Sequence, residues 1–481
     1  MSDQKKSAQT QGLPNIQTSF SDWYNEIIYQ AELADQAPVR GCIVIRPYGY
    51  ALWEEIKKVL DKKIKDTGHE NAQFPLLIPE SFLKREAEHI EGFAPELAVV
   101  THAGGKKLEE PLVVRPTSET IIHYMFAQWI RSWRDLPLKI NQWANVVRWE
   151  MRSRPFLRTT EFWWQEGHTA HETKQEALHE AQTMLLEYID LAENYLAIPI
   201  IAGKKSESEK FAGADITFTF EGLMQDGKAL QMGTSHMISQ QFAHAFNMKY
   251  QDRSGKEAYP YLTSWGATTR LIGALIMTHG DQKGLIMPPR VAPIQVIIIP
   301  IYTKSMPQEE VDTAAFALKE RLEKNFRVKI DNDTHVTPGS KFYKWELKGV
   351  PLRIEVGPRD IEQQVAVLTS RVNGAKQTVA WQDLEHTIES TLQEIQSTLF
   401  QRARERRAAQ WHKSAKLSEF SHDLETKGGF YQTGWCRSLL CEEQLKQYKA
   451  TTRCLIEERQ FLNCFYCDQE SPSDVIIAKA Y

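Results

Sequence analysis

The chain has 481 residues, 42% of them hydrophobic and 25% charged, with a formal net charge of −4. That is length for roughly three domains and the mix of a globular protein with a full core. The charge argues neither for nor against nucleic acid, so a polyanionic partner needs a local basic surface, and no apolar run approaches the roughly 20 residues that span a bilayer.

Met1 to Asn15 is polar and lacks an apolar signal core. It reads as the disordered lead-in, residues 1–16, of a cytoplasmic protein with no membrane partner. Phe20, Trp23, Tyr24, Ile27, Ile28 and Ala31 follow helical spacing, with Ser19 or Ser21 as N-cap. A second amphipathic helix runs from about Tyr50 to Lys65, with Trp53, Ile56, Leu60 and Ile64 inward and Lys57, Lys58, Lys62 and Lys63 as a solvated face. Phe74 to Pro79 is a short apolar strand whose proline implies an edge or an interface.

Val113-Val114-Arg115-Pro116 ends a strand, and Thr117-Ser118-Glu119-Thr120 reads as a cap opening a helix. From Arg148 to His168 two alternating runs flank an arginine-rich turn closed by Pro155, which predicts a long antiparallel hairpin. Arg148 and Glu150 then share a face, as do Phe162, Trp164, Glu166 and His168. One sheet surface would hold an arginine, carboxylates, aromatic rings and an imidazole. A long helix follows through Leu178, Leu185, Tyr188 and Tyr195. Ala214 to Glu221 is a strand, Asp226-Gly227 a turn, and Ala229 to His236 the return. Gln231, Thr234 and His236 fit either a site or a satisfied polar core.

Ser264 to Arg270 is a strand entering a helix through small residues. Arg270 falls in the first turn, where the helix dipole disfavours a cation. It needs an anionic or π-rich partner, or a salt bridge. Pro288-Pro289-Arg290 reads as a linker. Strands near Gln295–Pro300, Val328–Ile330, Leu352–Val356 and Val365–Leu368, with intervening helices, predict a small α/β domain with a mixed sheet. A helix bearing Arg402, Arg404, Arg406 and Arg407 leads to a segment holding five of the six cysteines. Clustering of this kind favours metal over disulfides. Cys436-x4-Cys441 and Cys464-x2-Cys467 are two thiolate pairs suited to tetrahedral zinc, and Cys454 is the spare.

The chain has no G-x-x-x-x-G-K-[ST] loop, no G-x-G-x-x-G, no G-x-S-x-G and no H-E-x-x-H. A nucleotide would have to be held without a glycine-rich cradle, and an arginine on a sheet can replace one. Its planar fork holds a phosphate bidentately, and a guanidinium can stack on a purine.

These residues carry a resemblance. Pro75 in an apolar strand, Arg148-x-Glu150 before a return ending in Phe162, and Gly266-x-x-x-Arg270 opening a helix resemble the three motifs of class II aminoacyl-tRNA synthetases. The fuller strings Arg115-Pro-Thr-Ser-Glu-Thr, Asn145-Val-Val-Arg-Trp-Glu, Trp164-Gln-Glu-Gly-His, Gly233-Thr-Ser-His, Ser264-Trp-Gly-Ala-Thr-Thr-Arg and Lys348-Gly-Val-Pro-Leu-Arg-Ile-Glu-Val-Gly-Pro-Arg-Asp are similar to prolyl-tRNA synthetases of the archaeal/eukaryotic-like type. The resemblance runs from about residue 17 to Tyr481.

It implies an α+β fold: a class II antiparallel sheet flanked by helices over 17–287, an α/β anticodon-binding domain over 288–400, and a small zinc-binding α/β domain over 401–481. It implies ATP-dependent formation of prolyl-adenylate and transfer of proline to the 3′ end of tRNA(Pro), by a homodimer. Arg148 and Arg270 would be catalytic. Arg148, Glu150, Arg158, Thr159, Phe162, Gln231, Thr234 and Arg270 would bind ATP, with Phe162 stacking the adenine against Arg270. Thr117, Glu119, Arg148, Trp164, Glu166, His168, His236 and Ser264 would line the proline pocket. Mg²⁺ would ride on the phosphates. Structural Zn²⁺ would sit on Cys436, Cys441, Cys464 and Cys467.

Arg353, Glu355, Arg359 and Asp360 would read the anticodon, and as plain residues they also fit a strand-end ion-pair cluster. Ala478 to Tyr481 matches the stretch that packs back toward the catalytic domain in that family. Glu172 to Leu262 holds ordinary core elements, so no editing insertion is expected, and the turn from Met151 to Pro155 reads as a mobile lid. The competing readings are a tRNA-binding module without catalysis and a class II enzyme for threonine, serine or glycine. The presence of Arg148, Glu150 and Arg270 argues against the first. The aromatic pocket and the Thr-Ser-Glu string argue against the second.

Overall fold

The computed structural model describes residues 12–83, 97–150 and 152–481. Residues 1–11 of the expected lead-in lie outside the described residues. Leu13 and Ile16, by contrast, pack against the main core, and the Gln282 side chain bonds the Leu13 carbonyl and the Ile16 amide.

Helices α1 (Phe20–Gln30) and α2 (Pro47–Asp66) form where the periodicity predicts. Ser19 sits at the N-cap of α1 but makes no side-chain cap bond. The expected face of α2 is buried: Trp53, Ile56, Leu60 and Ile64. Lys63 departs from the solvated-face reading. It is largely covered and bridges Glu187 and Asp190.

After β1 (Glu70–Asn71), the apolar run forms β2 (Leu77–Pro79). With β3 (Ala98–Ala103) and β4 (Lys106–Val114) it makes a three-stranded sheet in the order β2-β4-β3. The proline strand is therefore an edge, as its sequence requires. Next comes α3 (Glu119–Trp129).

The hairpin is β5 (Leu138–Val147) and β6 (Glu161–His171), antiparallel with Val147 opposite Glu161. The first strand ends at Val147, so Arg148 and Glu150 lie just past it rather than in it. Pairing nevertheless continues for one residue, with Arg148 N donating to Thr160 O at 2.8 Å. The turn expected to be a mobile lid is anchored at its far half. Arg154 donates to Ser21 Oγ, and the Tyr24 hydroxyl donates to Pro155 O at 2.7 Å.

Helix α4 (Lys174–Asp190) opens with a Thr173/Glu176 capping box and runs into a π-helical turn over Leu191–Tyr195. Then follow β7 (Ile200–Lys204), β8 (Ile216–Leu223), β9 (Ala229–Ser239), β10 (Tyr261–Thr268) and α5 (Arg270–His279). Residues of α1, α2 and α4 form one large core with Trp163, Trp265 and Phe220 of the sheet. Odd-numbered positions of β6 turn to that core: a Cβ at Gly167 would lie 2.0 Å from the Trp265 ring. The even-numbered face of β6 is left for the site.

The α/β region contains β11 (Val296–Pro300), α6 (Gln308–Leu322), β12 (Val328–Ile330), α7 (Pro338–Leu347), β13 (Leu352–Val356), β14 (Val365–Ser370) and β15 (Lys376–Ala380). Its sheet order is β12-β11-β13-β14-β15, parallel across β12, β11 and β13 and antiparallel beyond, the mixed sheet expected. Pro288 and Pro289, read as a linker, are buried.

Helix α8 (Leu384–Ala409) leads to β16 (Trp411–Lys413), β17 (Phe430–Trp435), β18 (Ala450–Ile456) and β19 (Ser473–Lys479). Arg406 and Arg407 of α8 donate to the carbonyls of Thr278 and Ile200. The last region joins the catalytic sheet directly. Leu455 of β18 pairs with Lys204 of β7, giving one sheet in the order β16-β17-β19-β18-β7-β8-β9-β10-β6-β5-β1. Tyr481 closes the junction: its amide bonds Ala229 O at 3.1 Å and its hydroxyl bonds Asp226.

At the end of α5, His279 is buried and shares a hydrogen bond of 2.8 Å with Leu196 O. Burial, with Arg406 nearby, pushes its pKa down to about 3. The unfolded chain takes that proton near pH ~6.5, so this residue withdraws stability as pH falls below that value. Between pH 7 and pH 5 the loss is about 2 kcal/mol. The thermal transition should drop over that range, and His279→Asn should remove this share of the drop. An unchanged pH dependence in the variant would contradict the assignment.

Candidate active site

The even-numbered face of β6 opens on a cavity of about 430 Å³. Its walls are the end of the hairpin, the start of α3, and strands β8, β9 and β10. Every residue expected at the nucleotide or in the proline pocket lines it: Thr117, Glu119, Arg148, Glu150, Arg158, Thr159, Phe162, Trp164, Glu166, His168, Gln231, Thr234, His236, Ser264 and Arg270.

Two guanidiniums dominate one end. Arg148 Nε donates to Pro116 O at 3.0 Å, and its charge lies 5.4 Å from the Phe162 ring centroid and 5.8 Å from that of Trp164. Arg270 Nε donates to Leu157 O at 3.2 Å and Nη1 to Gln231 O at 3.1 Å. The salt bridge that would have resolved its unfavourable helix position is not made. Among the described residues neither arginine has a carboxylate partner. Burial lowers the pKa of Arg148, against the pull of Glu119 and Glu166. Burial and the neighbouring Arg148 and Arg158 lower that of Arg270 to about 10. Both stay charged at neutral pH. The more exposed Arg158 pairs with Glu150 at 2.9 Å. The Thr159 hydroxyl donates to Glu161 O at 2.7 Å.

Carboxylates hold the other end. Glu166 accepts from Gln142 Nε2 at 2.7 Å and from the Ser118 hydroxyl, and contacts His168 Nε2 at 3.0 Å. Gln142 and Glu166 are cross-strand partners on β5 and β6. Burial disfavours charge on His168, but Glu166 outweighs it, with help from Glu119, and the His168 pKa is raised. Glu119 accepts from the Thr117 hydroxyl. The Thr-Ser-Glu string is therefore not the cap it resembles. Ser118 occupies the N-cap position without capping and donates instead to Glu166, while Thr117 and Glu119 line the cavity.

His236 shares hydrogen bonds with the hydroxyls of Thr217 at 3.0 Å and Thr234 at 2.9 Å. Burial, and then the charge of His168, hold it neutral with a pKa of about 3. Four buried polar atoms of lining residues have no partner among the described residues: Trp164 Nε1, His168 Nδ1, Ser264 Oγ and, on the ring turned to the core, Trp265 Nε1. An unmet buried polar group costs on the order of 1–3 kcal/mol, so the first three mark a surface made for a polar ligand.

Sequence reasoning missed Lys205, Glu209, Phe211, Thr217 and Trp265, which also line the cavity. Phe211 lies 4.7 Å from the His236 ring. It comes from the loop between β7 and β8, which has no periodicity to read. Gln142 had a signal, a polar residue among Leu138, Ile140, Ala144 and Val146 on one face of its strand.

Beyond the cavity, the anticodon candidates are separately engaged. Arg353 pairs with Glu355 at 2.9 Å and stacks 4.0 Å over Phe342. Asp360 accepts from Gly357 N at 2.8 Å and caps a short helix, and Arg359 is exposed. The four expected metal-site sulfurs converge, all within 4.8 Å of one another. Cys436 Sγ is 3.6 Å from Cys467 Sγ and 3.7 Å from Cys441 Sγ. A tetrahedron of Zn–S bonds of about 2.3 Å has edges near 3.7 Å, so the donor set fits zinc. Cys454 lies apart, buried beside Gly203.

Three family models match the chain: the tRNA synthetase class II core domain (G, H, P, S and T) over residues 102–279, the anticodon binding domain over 295–391, and the prolyl-tRNA synthetase C-terminal domain over 417–481. A proline–tRNA ligase of Alkaliphilus oremlandii is 50% identical, covering 97% of each chain. Proline–tRNA ligase 2 of Clostridioides difficile is 50% identical, covering 98% of each. The chain belongs to the prolyl-tRNA synthetase family. A solved member from Cryptosporidium parvum, complexed with halofuginone and AMPPNP, superposes with a TM-score of 0.93 at 42% identity, covering 98% of this chain and 99% of that one. The same enzyme with L-proline and AMP gives a TM-score of 0.91 at 41% identity, with the same coverage. The class II architecture with its anticodon-binding domain, expected from the motifs, is thus the family's fold.

Proposed function

We propose that this cavity activates L-proline with ATP and passes it to the 3′ end of tRNA(Pro), as a proline–tRNA ligase. The observation that carries the reading is the polarity of the one cavity. Arginines without acidic partners among the described residues stand at one end, and carboxylates with aromatic rings at the other. The first end suits a triphosphate and a carboxylate, the second a secondary ammonium on an apolar ring. Relatives under that name, and the neighbour bound to L-proline and AMP, support it.

In this reading Arg148, Glu150, Arg158, Thr159, Phe162, Gln231, Thr234 and Arg270 hold the nucleotide. Thr117, Glu119, Trp164, Glu166, His168, His236 and Ser264 hold proline, and Arg148 touches both substrates. The proline carboxylate, already ionised, attacks the α-phosphorus; the bond to the bridging oxygen breaks and pyrophosphate leaves. The terminal tRNA hydroxyl then attacks the carbonyl of the adenylate and AMP leaves. No side chain need act as base for the first step, so the protein positions the reactants and neutralises charge. Mg²⁺ bound with the triphosphate would supply part of that neutralisation, and Glu150 is the carboxylate that would hold it there.

Losing one such donor costs about 3 kcal/mol, on the order of a hundredfold in rate. Arg148→Ala should lose at least that much proline-dependent ATP–pyrophosphate exchange. A near-normal rate would remove Arg148 from its role.

Structural zinc on Cys436, Cys441, Cys464 and Cys467 belongs to the same proposal. Purified protein should carry about one zinc per chain, and Cys464→Ser should lose it together with thermal stability. Zinc-free protein of unchanged stability would refute the site. Arg353, Glu355, Arg359 and Asp360 are the proposed anticodon contacts, with Arg359 the exposed member. The reading places the protein in the cytoplasm, where tRNA is charged.

It also makes the protein a homodimer. The three-stranded sheet presents Leu76, Leu77 and Val99 about two-fifths exposed, at 41%, 39% and 45%, beside an edge strand. Sedimentation should give twice the mass of one chain, and Leu77→Lys should shift the species toward the monomer. A monomeric parent protein would contradict this part.

A further inference from the structure

The cavity wall away from the hairpin holds a cation that the scheme above does not use. Lys205, just beyond β7, lines the cavity, and its Nζ donates to Glu221 Oε1 at 3.1 Å. Glu221, on β8, is wholly buried. Its other oxygen accepts from Arg453 Nε at 2.6 Å. Arg453 belongs to β18 and so comes from the C-terminal region. The Thr219 hydroxyl donates to Glu221 at 3.2 Å, and Arg453 Nη1 donates to Thr451 Oγ1 at 2.7 Å. Burial opposes ionisation of Glu221, but Lys205 and Arg453 together hold its pKa below the usual carboxylate value.

Two links join this triad to the nucleotide end. The first is the backbone. Glu221 stands opposite Gln231, at the point where the β8/β9 register shifts between Phe220 and Glu221. The Gln231 carbonyl is the one that receives Arg270 Nη1. The second is charge. Arg270 feels Glu221 and Arg453 with opposite signs. With Arg453 in place the triad carries one net positive charge. Without it, Glu221 and Lys205 cancel and the wall loses its cation. Arg453 reaches Glu221 because β18 lies tight against β7. A Cβ at Gly203 would come within 2.4 Å of the Leu455 carbonyl, so only glycine permits the approach.

We propose that Arg453 is a positioning residue for proline activation: supplied by the C-terminal region, it holds Glu221 so that Lys205 and Arg270 present their cations to the nucleotide. The proposal rests on the reading of Arg270 as a nucleotide ligand. Removing Arg453 leaves Glu221 paired with Lys205 alone, which cancels the Lys205 charge, and small displacements of positioning groups cost heavily in rate.

The test is steady-state ATP–pyrophosphate exchange by the full chain, with ATP and proline varied separately. Arg453→Met should raise the KM for ATP about tenfold while leaving that for proline within about twofold. Arg453→Lys should regain most of the loss. Glu221→Gln added to Arg453→Met should lower the ATP KM again, because it frees the Lys205 charge that Glu221 would otherwise cancel. An unchanged ATP KM, an equal rise in both KM values, or no recovery with lysine would overturn the proposal. If Arg453→Met does not fold, Arg453→Gln is read by the same criteria. Arg270→Ala separates the two readings. If it keeps the parent ATP KM, the role of Arg270 itself falls. If it is impaired while Arg453→Met is normal, only the present proposal falls.

Discussion

The structure depends on two guanidiniums lining the cavity, held by carbonyls instead of carboxylates. Arg148 is fixed through Pro116, and Arg270 through Leu157 and Gln231. Carbonyl acceptors fix direction without cancelling charge. A desolvated cation without a counter-ion is disfavoured, and desolvation in the cavity lowers the pKa of both arginines, so the surrounding fold must hold them in place. Each part of the fold does so from a different side. The hairpin turn, pinned by Tyr24 and Ser21, carries Leu157. The β8/β9 pair carries Gln231. The end of β4 leads through Pro116 to α3. The cost of that arrangement is offset only when an anion enters, which is the condition for binding that is stronger in the reacting complex than in the free protein.

The carboxylate end obeys the opposite logic. Glu166 is held by Ser118, Gln142 and His168, and Glu119 by Thr117. These acids are held by neutral donors and by a histidine whose pKa Glu166 raises, so their orientation is set before a ligand arrives. Cation-rich and acid-rich ends on one sheet face orient a substrate that carries a carboxylate at one side and an ammonium at the other. Aromatic walls between them accept an apolar ring. Orientation of this kind can do the work that a catalytic base does elsewhere.

The hairpin and its inward face were legible because strand periodicity puts Phe162, Trp164, Glu166 and His168 together without further information. The mixed sheet of the α/β region was legible for the same reason. The motif strings then named the chemistry of each side chain. Other features could not be read. Ser118 looks like a cap because its local sequence is that of a cap, and only Glu166, 48 residues away, turns it into the site. Arg453 and Glu221 are 232 residues apart, and the pairing of Leu455 with Lys204 that brings them together leaves no mark in either segment. The loop carrying Glu209 and Phe211 has no repeat from which to infer direction. Local pattern sets which face a residue takes, whereas the joining of distant segments is decided by tertiary packing.

The central claim is that the cavity's two ends together select a secondary amine bearing a carboxylate. The most direct measurement is ATP–pyrophosphate exchange by the unmodified protein across a panel of proline, alanine, threonine, serine and glycine. The account predicts that proline supports exchange with the highest kcat/KM, and that alanine falls behind by about 1–3 kcal/mol of lost ring contact. Exchange driven best by another amino acid, or no exchange with any of them, would contradict it.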